Sequence, residues 1–153
     1  MQRLHRFTAG DRHRWAVNRL NEQFSDQRRD LYEVNCESLS LKLETFEAPE
    51  PDVALTAPAT APGPVRAESV TLLIEIADSS RDRDLGPKRA IYALAGIPEY
   101  WVFDLQHDVV LVFREPLRER NEYTSETTFG PDAAISPTAH PGVIIDVSSV
   151  LGR

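Results

Sequence analysis

The chain has 153 residues, of which 41% are hydrophobic, and this size suits one compact domain spanning residues 1–153. Its formal net charge of −7 argues against a protein held on nucleic acid by simple electrostatic attraction. The single cysteine excludes an internal disulfide, and no apolar run reaches the roughly 20 residues that a bilayer-spanning helix needs. We therefore expect a cytoplasmic protein with no membrane partner.

The first predicted element is an amphipathic helix over residues 11–30, with Asp11 as its N-cap and with Trp15 and Phe24 near one face. The first 30 residues carry seven arginines against four acidic residues. This segment either faces phosphate or has an ordinary solvated surface. His13 lies in the first turn, where a histidine is a packing residue, a surface residue or a site residue.

Strands follow the helix. Residues 31–36 are predicted to form one strand, and the alternation of leucines with polar residues over 39–43 predicts a second, joined to the first by a turn at 35–38. Pro51 then breaks the chain, and residues 52–55 resume as a short apolar strand. The first two strands are therefore expected to form a hairpin.

The second half alternates strands with one helix. Residues 70–77 form a continuous apolar run interrupted by one glutamate, which is typical of a central strand covered on both faces. A polar turn at 78–84 leads to a helix that starts near Leu85 and ends before Pro98. Further strands are predicted at residues 100–105, 109–113, 122–129 and 143–147. This order predicts an α+β or α/β fold with a mixed sheet.

Two carboxylates are candidates for a metal site. Asp52 opens one strand and Glu75 lies in the next long strand, so their side chains converge if the strands pair. Paired carboxylates suit Mg²⁺, which can polarise a phosphodiester and activate a water molecule. Alternatively, Asp52 is a turn aspartate after proline, and Glu75 is an edge-strand glutamate that faces solvent. The leucines and isoleucines around Glu75 disfavour the second alternative.

Lys88 is one of only two lysines among 17 basic residues. Lysine is a compact charge whose pKa moves readily, and it can orient or help to deprotonate a nucleophilic water. On the predicted helix, Lys88 shares with Ile91, Tyr92 and Ala95 the face that should pack on the sheet. The alternative is an ordinary surface ion pair with Asp84.

Other chemistries are disfavoured. The serines at 79–80 lack the Gly-x-Ser-x-Gly elbow of serine hydrolases, the four histidines lack zinc-site spacing, and no Gly-rich phosphate loop is present. Trp101 and Phe103 fit a buried strand better than a platform for stacking bases.

These residues carry a family resemblance. Asp52 preceded by proline, followed after a loop by Glu75 in an apolar strand, resembles the signature of the PD-(D/E)XK nuclease superfamily. More narrowly, LLIEIADSS, the Asp-x-Gly-x-Lys pattern at 84–88 and IYALAGIPEYWVFDL resemble the Uma-two restriction endonuclease family. The resemblance runs from about residue 10 to residue 151.

The resemblance implies a restriction-endonuclease-like mixed β-sheet flanked by helices and an Mg²⁺- or Mn²⁺-dependent endonuclease that cleaves DNA. Carried over by position, Asp52, Glu75 and the backbone carbonyl of Ile76 would bind the metal. The superfamily lysine usually stands two residues after the glutamate, where this chain has Ala77, and Lys88 on the following helix takes that catalytic role. The supporting residues would be His13, Asp84 and Tyr92.

The chain also departs from the family pattern. Family members usually begin with a glutamate-bearing β-hairpin of the form Glu-Leu-Ile-Asp-Gly, which is absent before this chain's histidine helix. A sheet edge left bare in this way would invite pairing with a second copy, so we expect a homodimer. The alternative function is a catalytically degenerate nuclease fold that serves as a nucleic-acid-binding or protein-interaction module.

Overall fold

The structure, a computed structural model, describes residues 9–37, 41–42, 50–78 and 81–153. Its helices and strands are α1 (Ala9–Asp26), β1 (Glu33–Cys36), β2 (Leu41–Lys42), β3 (Val53–Thr56), β4 (Val65–Arg66), β5 (Val70–Ala77), α2 (Arg81–Leu85), α3 (Pro87–Leu94), β6 (Glu99–Asp104), β7 (Val109–Leu117), β8 (Glu122–Phe129), β9 (Ala134–Ile135), β10 (Ile145–Asp146) and α4 (Val147–Leu151). None of the helices in these ranges is long and apolar enough to cross a membrane.

A six-stranded sheet in the order β1-β3-β5-β6-β7-β8 forms the centre of the fold. The β5–β6 pair is parallel, and every other pair in this sheet is antiparallel. Two smaller sheets pair β9 with β10 and β2 with β4. The mixed α+β architecture predicted from the sequence is confirmed.

The side chains of β5 point alternately to the two faces of the sheet, and each face has its own hydrophobic core cluster. Leu72, Ile74 and Ile76 belong to the core cluster that contains α1 and α4. Leu73 and Ala77 belong to the cluster on the opposite face, which contains α3. Because successive side chains of a strand point to opposite faces, Glu75 projects toward α3. The predicted central strand is confirmed, and its one charge is directed at one helix.

Helix α1 packs on the first face through buried side chains, namely Ala16, Val17, Leu20 and Phe24. It begins at Ala9, so Asp11 lies inside its first turn and the prediction of Asp11 as N-cap is wrong. Trp15 is also misassigned to the buried face, because 46% of its surface is exposed. Its indole N–H instead donates to the carbonyl of Ser149 at the edge of the helix.

The predicted hairpin between the first two strands is wrong, because each of them pairs with another strand. The first strand, β1, pairs antiparallel with β3, with Cys36 opposite Val53, and β2 pairs in parallel with β4. All four residues of β3 are buried, so its backbone groups need a strand on each side, and β1 and β5 supply them. Most of the expected strand at 39–43, part of the turn at 35–38 and the serines at 79–80 lie outside the described residues.

Two further segments differ from the prediction. Part of the expected polar turn at 78–84 belongs to helix α2. The predicted helix itself is α3, which starts at Pro87, two residues after Leu85, and has Gly86 as its N-cap. A Cβ at Gly86 would lie 2.8 Å from the Asp82 carbonyl oxygen, so the close approach of α2 and α3 requires glycine there. The expected strand at 143–147 is only β10, because Val147 already begins α4.

Candidate active site

Asp52 and Glu75 meet at one end of the sheet. The antiparallel register places Val53 opposite Ile74, so the residue before β3 lies beside the end of β5. The backbone N–H of Asp52 donates to Glu75 Oε1 at 3.2 Å, and the N–H of Ile76 donates to Asp52 Oδ2 at 2.7 Å. The two strands therefore pair, as convergence of the side chains required. Each carboxylate accepts a hydrogen bond from a backbone N–H of the neighbouring segment.

Glu75 is buried, with 1% of its side chain exposed. Its Oε2 accepts a hydrogen bond from the Tyr92 hydroxyl at 3.0 Å and pairs with Lys88 Nζ at 3.0 Å. Burial raises the pKa of Glu75 to about 7; the Asp52 charge acts in the same direction, and Lys88 opposes both. The carboxyl is therefore poised to gain or lose a proton near neutral pH.

Lys88 bridges two buried carboxylates. Its Nζ lies 3.0 Å from Glu75 Oε2 and 3.1 Å from Asp84 Oδ1, while Asp84 is only 1% exposed. The pair with Asp84 exists, but the interpretation of an ordinary surface pair is wrong. Burial lowers the pKa of Lys88, but the negative charges and hydrogen bonds of Glu75 and Asp84 raise it by more, so the pKa lies above its ordinary value. Lys88 is therefore cationic at neutral pH.

Helix α3 presents Lys88 and Tyr92 together. The two residues are one helical turn apart, so their side chains lie on the face that packs on β5. Tyr92 is fully buried, and burial together with the Glu75 charge raises the pKa of its phenol, which remains a donor. Ala77, where the superfamily lysine would stand, is buried on the same face of β5 as Glu75. The structure thus brings a lysine to the glutamate from α3 rather than from β5.

His13 reaches Asp52 from the opposite face of the sheet. Its Nε2 lies 3.1 Å from Asp52 Oδ1, and its Nδ1 lies 3.6 Å from Glu37 Oε1. The hydrogen bond to Asp52 raises the pKa of His13; burial opposes this shift, and the charges of Asp52 and Glu37 reinforce it. His13 is 31% exposed and contacts two acidic side chains, so it is not an apolar packing residue; the surface and site interpretations both fit these contacts.

Glu37 is the residue that the sequence interpretation missed. Its backbone N–H donates to the Asp52 carbonyl at 3.0 Å, which continues the β1–β3 pairing by one step. Because the first strand was assigned to a hairpin with 39–43, Glu37 was placed in a turn away from Asp52. An acidic residue directly after a strand was the available signal, and it needed the correct strand partner to be useful.

The donor atoms fit a divalent cation. Asp52 and Glu75 supply carboxylate oxygens. Glu75 Oε1 and the two oxygens of Asp52 each have one of the hydrogen-bond partners described above and therefore keep a lone pair for a cation, whereas Glu75 Oε2 already contacts both Tyr92 and Lys88. In an extended strand the N–H and C=O of one residue leave from the same edge, so the Ile76 carbonyl projects to the side on which its N–H binds Asp52. Oxygen donors of this kind are the ligands that Mg²⁺ prefers.

Other buried charges are accounted for by the fold. Glu99 accepts hydrogen bonds from Trp101 Nε1, Arg114 Nε and the N–H of Thr138, at 2.7, 2.9 and 2.8 Å. Trp101 is fully buried, so the prediction of a core residue is confirmed. Asp104 likewise pairs with Arg81 Nε at 2.7 Å. These carboxylates have structural partners away from the Asp52–Glu75 contact.

Comparison with known proteins agrees with this geometry. The Uma2 family, described as "putative restriction endonuclease", matches residues 7–148. The chain belongs to the Uma2 family. The match includes every residue of the contact network around Glu75 and Asp52. No curated protein matches the chain.

A solved structure resembles this Uma2 chain over nearly its whole length. It is the crystal structure of a protein from Anabaena variabilis described as a putative nuclease belonging to DUF820. The two chains are 15% identical with a TM-score of 0.69, and the alignment covers 99% of this chain and 85% of the other. At this identity the likeness shows the fold alone, which is restriction-endonuclease-like.

Proposed function

We propose that this Uma2 chain is a metal-dependent endonuclease that hydrolyses phosphodiester bonds of DNA. One observation carries the proposal: Asp52, Glu75 and Lys88, from three different elements, lie in one connected contact network at the end of the sheet. A binding module has no need of two adjoining carboxylates with a partly buried lysine beside them. The description of the family as restriction endonucleases supports DNA as the substrate class.

The metal would be Mg²⁺ or Mn²⁺, held by Asp52, Glu75 and the carbonyl of Ile76. When bound, the cation supplies Lewis-acid activation of the phosphoryl group and of the attacking water. The N–H of Ile76 fixes the orientation of the Asp52 carboxylate, and Tyr92 fixes that of Glu75. The protein thereby holds the metal-binding oxygens in place before any ligand arrives.

Lys88 has the catalytic role among the remaining residues. Its ammonium lies beside Glu75, where it orients the attacking water and stabilises the negative charge that develops on phosphate. Asp84 is a positioning residue, because it contacts the ammonium of Lys88 at 3.1 Å as a second carboxylate partner. His13 is a positioning residue for Asp52 in the same sense.

A second candidate function is a non-catalytic binding module on the nuclease fold. The net charge of −7 favours this second candidate over the nuclease, because proteins that act on DNA normally present a basic surface to its phosphates. The two candidates differ in one measurement, which is nicking of supercoiled plasmid. The nuclease requires nicking with Mg²⁺ or Mn²⁺ and none with EDTA, whereas an absence of nicking under every metal condition supports the module, whether or not it retains DNA.

We also propose that residues 1–153 act as one domain in a homodimer. Strands β1 and β8 are the edges of the central sheet, and β8 is eight residues long with mostly exposed side chains. Long edge strands invite pairing with another chain. Light scattering after size exclusion should give twice the chain mass, and a monomer mass at all concentrations tested would refute the dimer.

A further inference from the structure

Three side chains from separate elements converge on the outer side of Asp52. One ligand atom from each of His13 on α1, Glu37 after β1 and Asp52 before β3 lies within 4.8 Å of the other two. No other group of three or more such residues meets this criterion in the described part of the chain. The convergence is produced by the β1–β3 pairing, since the Glu37 N–H binds the Asp52 carbonyl.

The two oxygens of Asp52 face different neighbours. Oδ2 accepts the Ile76 N–H at 2.7 Å on the β5 side, whereas Oδ1 lies 3.1 Å from His13 Nε2 on the α1 side. A carboxylate divided in this way can contribute one oxygen to each of two adjacent cations. Asp52 is also only partly exposed, at 19% of its side chain, so its orientation is set by these contacts.

The distances suit ligation on the α1 side. Two ligand atoms about 2.1 Å from one cation and at right angles to each other lie about 3.0 Å apart. The separation of His13 Nε2 and Asp52 Oδ1 is 3.1 Å, so the spacing of the two atoms fits one ion that replaces the hydrogen bond between them. Glu37 Oε1 lies 3.6 Å from the other ring nitrogen, Nδ1, and the Glu37 side chain is 55% exposed, so its carboxylate has to turn from Nδ1 to reach the same ion.

The ligand set differs in chemistry from the Glu75 side. An imidazole nitrogen with two carboxylates suits a first-row transition ion, whereas Mg²⁺ and Ca²⁺ prefer oxygen ligands throughout. The side of Asp52 that faces β5 offers oxygen atoms only. Two neighbouring positions with different ligand softness therefore share one aspartate.

We propose that His13, Glu37 and Asp52 form a second cation subsite that selects a divalent transition ion such as Mn²⁺ over Mg²⁺. This subsite rests on the proposed function to the extent that Asp52 belongs to both positions. Glu37 becomes a metal ligand, and His13 becomes a ligand as well as a positioning residue. The nuclease would then hold Mg²⁺ or Mn²⁺ beside Glu75 and a transition ion beside His13.

The test is Mn²⁺ binding to the full chain without DNA. The number of bound ions is counted from the loss of the electron paramagnetic resonance signal of free Mn²⁺, and electron spin echo modulation detects a nitrogen ligand. We expect two bound Mn²⁺ per chain, one of them with nitrogen modulation that excess Mg²⁺ leaves in place. His13→Asn should lose the nitrogen modulation and one bound ion. Glu37→Gln should raise the dissociation constant of that ion at least tenfold.

Matched controls use the same substitutions outside the site. His107→Asn and Glu122→Gln should bind Mn²⁺ as the wild type does. Wild-type protein with no nitrogen modulation, or a His13→Asn variant that retains it, would overturn the subsite. Because Glu37 is an exposed side chain, its variant reports on the ion without disturbing the core.

The outcome separates this subsite from the proposed function. Plasmid nicking with Mg²⁺ by a wild type that shows no nitrogen-ligated Mn²⁺ keeps the nuclease and overturns the subsite. Nitrogen-ligated Mn²⁺ in a protein that nicks no DNA supports the subsite and counts against the nuclease.

Discussion

Lys88 Nζ lies 3.0 Å from Glu75 Oε2, so a cationic side chain of α3 compensates the one carboxylate inside the central strand β5. A buried carboxylate is costly without such a partner. The Tyr92 hydroxyl binds the same oxygen atom. The network that would position a metal ligand is therefore also part of the packing of α3 on the sheet, and substitutions in it should change both stability and activity.

Replacing Lys88 tests both roles. Lys88→Met leaves Glu75 and Asp84 without their cation, and we expect the free energy of unfolding to fall by about 1–3 kcal/mol in urea titrations. Plasmid nicking should be lost. Lys88→Arg should restore most of the stability but little of the nicking, because guanidinium does not reproduce a compact ammonium. Full nicking by Lys88→Met would show that the ion pair is structural only.

The pH dependence of stability should carry the signature of Glu75. Its pKa is raised to about 7 in the folded protein, from an ordinary value of 4.5. The folded state therefore holds a proton that the unfolded state releases, and the stability contributed by Glu75 is lost as pH rises from about 4.5 through 7. His13, with its pKa also raised, adds a loss in the same direction as pH rises through its folded value.

Urea titrations in EDTA at pH 5.5 and pH 8 measure this effect. We expect the wild type to lose more stability between these two values than Glu75→Gln, whose amide does not titrate. Equal losses in the two proteins would mean that Glu75 is ionised throughout the range.

Divalent cations should stabilise the protein through the same carboxyl. Cation binding requires ionised Glu75, so the rise in melting temperature caused by Mg²⁺ should be larger at pH 8 than at pH 6. At a concentration of 100 times the dissociation constant, the stabilisation is about 2.7 kcal/mol. Scanning calorimetry should show no Mg²⁺ effect in Glu75→Gln and the wild-type effect in Glu122→Gln, a variant on the exposed face of β8.

Tyr92 can be separated from its packing role by removing only its hydroxyl. Tyr92→Phe keeps the ring, whose centroid lies 5.0 Å from that of Tyr100, and should cost about 0.5–1.5 kcal/mol. Tyr123→Phe is the matched control, because the Tyr123 hydroxyl donates to the Ile97 carbonyl at 2.8 Å, away from the site. Both variants should lose similar stability, whereas only Tyr92→Phe should shift the pH profile of nicking. Identical nicking profiles for the two would remove Tyr92 from the site.

The sequence was sufficient to predict the centre of the fold. The apolar run of β5 with one glutamate identified a strand buried on both faces, and the helix pattern identified the face that carries Lys88 and Tyr92. Both signals are local, because side-chain alternation and helical spacing are properties of a single element. The residues of the candidate site that lie on β5 and α3 were found for this reason.

The pairing of the first strand was where sequence interpretation failed. Nothing local in residues 31–36 shows that β1 pairs with β3 rather than with the next segment, since that choice depends on which edge of β3 is left open. Glu37 was missed as a consequence. Helical periodicity could place His13 on α1 but could not place it beside Asp52, because that contact joins the helix layer to the sheet.

Nicking of supercoiled plasmid by single and double variants tests most directly the claim that Asp52 and Glu75 act in one site. With Mg²⁺, we expect Asp52→Asn and Glu75→Gln each to lower the wild-type rate by about 100-fold or more. The double variant should be no slower than either single variant, because the two carboxylates work as a unit. A Glu75→Gln protein that nicks as fast as the wild type would contradict the account.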